Sequence, residues 1–292
     1  MIRDGQGGVK TENIASAVPL GWETPIQYLK GVGPRRSDLF RRLGLATVRD
    51  LVYHFPRRHE DRRAFLTISQ LVSDQKQTVC GVVTSCSLFR ARTGTVILSV
   101  VVKDSTGSVT ALWFNQPYMR KWFPTGQKLI LYGNVQKMGR KVQMAAPEFE
   151  AIPPESEIAS AGAPKPPASL HMGRIVPIYP ATSGLHQREL RTAVAVALKV
   201  LLASPPSDPL PAGIRERHEL LEFMKALKGI HFPAVPEAVA QAQQRLTFDE
   251  LLCFQLALGI RRRAFQQKPG IAHQISGDLV DRWREQLPFK LT

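Results

Sequence analysis

No stretch of the form GxxxxGK[ST] occurs in the 292 residues. The nearest glycine-rich run, GVGPRRS from Gly31, has neither the lysine nor the spacing that would cradle nucleotide phosphates. No autonomous ATPase activity and no catalytic residue are therefore expected. Metal chemistry also lacks its parts. His218 stands beside Glu219 without the second histidine of an HExxH helix, and the acidic residues are scattered rather than clustered as a two-metal nuclease requires. Asp74 and Asp104 fall in turn-forming stretches and read as turn residues. Cysteine is scarce: Cys80, Cys86 and Cys253 are an odd set without a CxxC pair, which excludes a disulfide framework and a structural zinc site. Cys80 and Cys86 share parity on a predicted strand, which implies burial in a core. No apolar run is long enough to span a bilayer, and the first residues lack a basic segment followed by an apolar one. The expectation is a cytoplasmic protein with no membrane partner and no clear homo-oligomer signal.

Negative charge is the other shortage. Thirty-nine Lys and Arg face 24 Asp and Glu, a net charge of +15, which favours a polyanionic partner by its field alone. At 43% apolar residues the chain still has the composition of a folded protein.

Periodicity and punctuation divide the chain into five segments. Residues 1–20 carry three glycines and no durable period and read as a flexible arm. Residues 21–70 read as a helical hairpin region. Thr24 and Pro25 open PIQYLK, Gly31 stops it, Pro34 opens RRSDLFRRLG, and Thr47 caps VRDLVYHF. Residues 71–150 turn β-branched, with TVCGVVTSC, TVILSVVVKD, SVTALWF, KLILYGNV and KVQMA separated by turn residues. Five strands with a short helical segment between the third and fourth have the order of an OB-type barrel, although such strands could also close another barrel or form a sandwich. Residues 151–170 are a Pro/Ala-rich linker. Residues 171–292 read as a mainly helical connector, with helices over ELRTAVAVALKVLLA, IRERHELLEFMKAL, Pro236 to about Lys268, and Gly277 to Gln286. The long helix carries Leu246, Leu251, Phe254 and Leu258 as an apolar stripe. The expected fold class is multidomain α+β: an N-terminal helical region with a helix-hairpin-helix-like element, a five-stranded OB-type barrel, and a C-terminal helical connector.

Two kinds of candidate binding residue stand out. In LKGVGPRRSDLFRRLG, Gly31 and Gly33 allow a tight turn that can offer backbone N–H groups to a phosphate, with Arg35 and Arg36 beside it; a hairpin that only packs domains would look the same. Arg90, Arg92 and Lys103 lie on or near the first two strands of the five, and Lys137, Arg140 and Lys141 surround the last turn, as further phosphate-binding candidates. WFNQPYMRKWF places five rings and two cations in eleven residues. Trp113 and Phe114 alternate on a strand and must face opposite ways. Trp113 and Phe123 are assigned to the core, Trp122 to neither side, and Phe114 with Tyr118 to the surface, where rings beside cations can stack on bases.

Taken together, LKGVGPRRSDLFRRLGLATVRDLVYHFPRRHEDR, KDSTGSVTALWFNQPYMRKWFPTGQKLILYGNV, VPIYPATSGLHQRELR, GIHFP and QRLTFDELLCFQLAL resemble, in order and separation, the N-terminal part of the bacterial RecG branch-migration helicases. The resemblance implies an OB-type wedge that splits stalled forks and Holliday-like junctions while an ATP-driven motor of two RecA-like lobes pulls the duplex arms. It also implies that Phe114 and Tyr118, in FNQPY, are the aromatic pair that stacks on DNA bases at the branch point, and that the long helix is the connector packing the wedge against the motor. After PFKLT, similar to the lead-in to the first motor lobe, the later helicase motifs do not follow. The expectation is a truncated chain, or half of a split pair, that binds branched or forked DNA without helicase activity of its own. ATP and Mg would belong only to the missing motor, which a separate helicase motor chain could supply. The alternative is a structural module that docks such a motor without junction selectivity of its own.

Overall fold

The computed structural model describes residues 21–139, 141–152, 169–270 and 278–290. The arm expected at 1–20, Arg140, and most of the linker expected at 151–170 lie outside the described residues. The described residues fall into two compact units that divide after Leu246.

In the first unit, the N-terminal region begins with a single 3-10 turn, Ile26–Tyr28, rather than the helix expected over PIQYLK. Six residues between Thr24 and Gly31 are too few to offset the cost of helix nucleation, and Leu29 returns at once to extended geometry to bury its side chain. The expected helix-hairpin-helix thus has only one true helix next to its turn, α1 (Pro34–Arg42), with Pro34 at its first position. Helix α2 (Val48–Tyr53) follows under a capping box: the Asp50 N–H donates to the Thr47 hydroxyl, and the Thr47 N–H donates to the Asp50 carboxylate at 2.9 Å. Ile26, Leu29, Phe40, Leu51 and Val52 share one core with residues far along the chain. These are Leu190, Val194, Ala197, Leu198 and Leu201 of α3 (Gln187–Ala203) and Phe223, Met224 and Leu227 from the start of a later helix. The buried positions of α3 recur every three or four residues, as one apolar helix face demands. IRERHELLEFMKAL is not one helix. It forms α4 (Ala212–Arg217) and α5 (Phe223–His231), broken where Glu219 takes a positive φ of 51°.

Two strands, β1 (Arg58–Asp61) and β9 (Ile175–Ile178), pair antiparallel. The strand-rich part lies between them in sequence: β2 (Phe65–Leu66), β3 (Lys76–Arg90), β4 (Val96–Lys103), β5 (Ser108–Phe114), β6 (Lys128–Met138), β7 (Lys141–Ala145) and β8 (Glu148–Ile152). The sheet is not the five-stranded OB-type barrel expected from the sequence. These strands form one mixed seven-stranded sheet in the order β2-β3-β4-β5-β7-β6-β8, whose end strands are β2 and β8. Two strands beyond the five enlarge it, β2 alongside Thr78 and Val79 of β3, and β8, while the 15 residues of β3 pair with β6 through Lys76–Val82 and with β4 through Val82–Arg90. Strand β8 joins the sheet through β6, with Tyr132 opposite Glu148 and Lys128 opposite Ile152. Burial alternates along β4 and β5, so Leu98, Val100, Val102, Val109, Ala111 and Trp113 line one face together with Val79, Leu129, Leu131 and Met144. Cys80 and Cys86 are half-buried rather than core residues.

A buried ionic cluster joins this sheet to the helical core. Arg62, with no exposed side-chain surface, donates to both oxygens of Glu148 on β8 at 2.8 and 2.9 Å, to Glu60 on β1 at 2.6 Å, and to the His171 carbonyl at 3.1 Å. Its guanidinium lies 3.9 Å from the Tyr132 ring centroid. Arg191, equally buried on α3, donates to Glu148 at 3.3 Å, to the Pro177 carbonyl at 3.2 Å and to His171 Nδ1 at 3.2 Å. Burial alone would raise the Glu60 carboxyl, but hydrogen bonds from Arg62 and Lys76 outweigh it and hold it at about 2. Desolvation, with Arg188 and Arg191 nearby, pushes His171 down to about 4. Charges so enclosed are tolerable only because each has opposite partners.

The longest helix, α6 (Glu237–Gln266), runs across the division between the two units. In its first part Ala242 packs 3.3 Å from where a side chain on Gly229 of α5 would begin, a tight approach that any larger residue there would have to push apart slightly. Arg245 is buried there and holds Asp208 at 2.7 Å. In the second unit, Leu251, Phe254 and Leu258 are exposed, as are Leu279 and Trp283 of α7 (Leu279–Glu285). No helix among the described residues is long and apolar enough to cross a membrane.

Candidate nucleic-acid interface

The ring-rich segment is built outward from the sheet core. Trp113 is 3% exposed and stacks on Phe123 at a centroid distance of 4.8 Å. Phe149 of β8 closes the cluster, edge-on to Trp113 at 5.7 Å and 4.7 Å from Phe123. Strand β5 ends in a turn tied to the start of β4: Asn115 adopts φ 56°, donates its N–H to the Val96 carbonyl at 2.7 Å and accepts the Val96 N–H at 3.2 Å. Asparagine reaches this left-handed region with little penalty because its side chain bonds locally. A 3-10 turn, Pro117–Trp122, follows. It is anchored by Met119, which is 4% exposed, and by Phe123 just beyond it.

That anchoring turns the remaining rings outward. Phe114 is 43% exposed, Tyr118 61% and Trp122 44%. Trp122 meets Tyr118 edge-to-face at 6.0 Å and Phe149 at 6.0 Å, so a chain of ring contacts runs from the core to Tyr118. Arg120 and Lys121 are exposed on the same turn, with the Lys121 ammonium 6.0 Å from the Trp122 ring. Trp113 and Phe123 are thus core, Phe114 and Tyr118 lie at the surface, and Trp122 joins the outward set.

Strand register sorts the candidate cations into two groups. Arg90 lies opposite Val96, one position from the row that pairs Phe89 with Ile97 and Ile97 with Phe114, and Arg92 sits exposed in the turn between β3 and β4. Lys103 lies opposite Ser108, six residues from Phe114 along β5, or roughly 20 Å at the strand rise. Lys137 and Lys141 are exposed on the β6–β7 hairpin, whose first β7 pairing is Val142 with Val109, again toward the Ser108 end. The structure therefore brings Arg90 and Arg92 to the Phe114 end and places Lys103, Lys137 and Lys141 away from it. Arg140 lies outside the described residues.

At the N-terminal turn, Gly31 has φ 90°, a conformation that favours glycine, and Gly33 caps α1. Arg35 is exposed. Arg36 is already engaged, donating to the Gly31 carbonyl at 2.8 Å and pairing with Glu189 on α3 at 2.8 Å, so it braces the turn. Phe89, Arg120 and Lys121 were not singled out in the sequence. The signal for Phe89 is cross-strand register, which no single strand's pattern contains.

The ATP and Mg that the resemblance assigns to a motor do not fit the residues present. The sequence has no phosphate loop, and the described residues contain no group of three or more His, Cys, Asp or Glu able to hold a metal ion.

This geometry has close counterparts. A solved structure of RecG bound to a three-way DNA junction superposes with a TM-score of 0.67 at 32% identity, covering 94% of this chain and 36% of that one. The ATP-dependent DNA helicase RecG of Thermotoga maritima is 33% identical over 271 residues, covering 92% of this chain and 33% of the relative. RecG of Synechocystis sp. is 31% identical over 284 residues, again 92% of this chain and 33% of the relative. The chain thus spans about a third of the length of these curated relatives. The family described as the RecG wedge domain matches residues 25–201. With more than half of its residues inside that match, the chain belongs to the RecG wedge domain family.

Proposed function

We propose that this chain binds branched DNA, such as stalled forks and Holliday-like junctions, and holds parted strands at the branch point as the wedge part of a RecG-type machine. The observation that carries this reading is the pair of exposed rings, Phe114 and Tyr118, fixed at the end of β5 by a core-anchored turn with Arg90 and Arg92 nearby. A ring stacked on a terminal base pair replaces lost base stacking, worth ~1–3 kcal/mol per base. Opening costs a few kcal/mol per step, so two rings stabilise one opened end and do not drive repeated unwinding. Strand separation over many base pairs then needs ATP-driven work from a motor, and a DNA partner goes with a cytoplasmic location.

Gel-shift comparison of a three-way fork with a linear duplex tests this. The fork should bind more tightly, and Phe114→Ala with Tyr118→Ala should remove that preference while thermal unfolding is unchanged. Equal affinity of the parent protein for both DNAs rejects the reading.

A second reading is favoured by the exposed apolar residues of α6, Leu251, Phe254 and Leu258, with Trp283 of α7. These would dock a helicase motor, carried on a separate chain or on a longer form of this one. A clean monomer in sedimentation at high protein concentration would count against such an adhesive face.

A further inference from the structure

We propose that Phe89 is a third base-stacking residue and that the outer face of β3, β4 and β5 carries one DNA strand away from the branch point. The inference rests on the wedge reading above and extends it to a face and a residue outside the Phe114–Tyr118 pair. In the sheet Phe89 lies opposite Ile97, and Ile97 opposite Phe114. Residues directly opposite one another on neighbouring strands point to the same side. The next positions along, Leu98 and Trp113, are buried in the core, so the row Phe89–Ile97–Phe114 belongs to the outer face. Phe89 is 50% exposed and Phe114 43%, and both stand outside the buried core cluster.

Adjacent strands lie about 4.8 Å apart, so the two rings stand roughly 10 Å from each other across β4. That span accommodates an unstacked strand with one base on each ring and Ile97 as an apolar floor between them. The neighbouring row, Ser87–Ser99–Leu112, offers small hydroxyl groups with no acidic side chain. Arg90, the next residue on β3, faces the other way, while Arg92 is exposed in the turn just beyond the Phe89 end. An apolar row with Arg92 at its end and no carboxylate along it fits a polyanion with exposed ring faces, which is single-stranded nucleic acid. Stacking on phenyl rings reads no sequence, which suits a face that must accept whatever strand a fork presents.

The test measures fluorescence anisotropy with a three-way junction bearing a single-stranded arm, the same junction with that arm made duplex, and a thymidine oligonucleotide. The proteins are the parent chain, Phe89→Leu, Phe89→Trp and Phe114→Ala/Tyr118→Ala, each first matched to the parent in thermal unfolding. Leucine keeps the apolar volume without the aromatic face, so misfolding does not confound the result. Phe89→Leu should lose about 5- to 100-fold in affinity for the oligonucleotide and the single-stranded arm, and little for the duplex arm, while Phe89→Trp retains parent affinity. Parent-like binding by Phe89→Leu, alongside a weakened Phe114→Ala/Tyr118→Ala variant, overturns this inference and leaves the wedge reading standing. Equal losses by Phe89→Leu on all three DNAs also overturn it. If the double variant too binds like the parent, the wedge reading itself fails.

Discussion

Trp113 and Phe114 are neighbours on β5, yet one ring is 3% exposed and the other 43%. The difference separates the two faces of the sheet. On the inner face Trp113 touches Phe123 and Phe149 and its value is stability. On the outer face Phe114, in line with Ile97 and Phe89, leaves apolar surface in water, a cost recovered only when something covers it. One strand thus carries a core ring and a surface ring on alternate residues, and if the surface ring meets DNA as proposed, substitutions on the two faces should separate stability from binding.

The largest effect should come from the inner face. Trp113→Ala removes a ring from the centre of the cluster and should cost about 3–5 kcal/mol of unfolding free energy, read from denaturant titration. Phe114→Ala should leave that midpoint nearly unchanged. Equal destabilisation by both would erase the distinction between the faces.

Much of this contrast was legible in the sequence. Alternation in SVTALWF put Trp113 inside and Phe114 outside, and Thr47 marked the start of α2. What escaped depends on distant partners. The sheet gained β2, two residues within a stretch that reads as helical, and β8, whose EFEAI has no strong β pattern of its own; with both, the expected five-strand barrel gave way to a seven-stranded sheet. The core shared by Phe40, Leu51, Leu190 and Phe223 joins segments more than a hundred residues apart, which no local period can announce. Similarly, Arg90 and Lys103 look equivalent as basic residues near strands, and only register shows that they stand at opposite ends of the sheet.

Acid should sharpen the contrast from the side of the buried polar groups. His231 is enclosed between the Tyr179 hydroxyl at Nδ1, 2.9 Å away, and the Val52 carbonyl at Nε2, 2.8 Å away. Only Nε2–H can satisfy that carbonyl, so Nδ1 accepts from Tyr179 and the ring is neutral. Desolvation, with His54 and His59 nearby, holds His231 at about 4, and His171 is held at about 4 as well. Unfolded histidines bind a proton near 6.5, so between 6.5 and 4 the unfolded state carries more protons and stability falls as pH falls. Each of the two contributes a slope of about 1.4 kcal/mol per pH unit, and His59, also lowered by burial, adds in the same direction. Glu60 and Asp208, both held at about 2, lose their contribution only at lower pH, as it falls from their ordinary range toward 2. Denaturant unfolding at intervals from pH 7 to 4.5 therefore isolates the histidines. A flat profile would mean that His171 and His231 are charged or open to water.

The smallest expected effect divides the outer face itself. If DNA lies across the Phe89–Phe114 end, Arg92 meets a phosphate there, and each such contact releases condensed counterions. Arg92→Ala should then reduce the slope of log affinity against log salt by about 0.7 to 0.9, the lower figure applying to a single strand. Lys141, on the β6–β7 hairpin toward the Ser108 end, should leave the slope unchanged when replaced by alanine. Net charge falls by one in both variants, so a general field effect would weaken binding equally in each. Only a strand that crosses one end of the sheet makes the two slopes differ, and a larger change for Lys141→Ala would place the DNA at the opposite end, away from the rings.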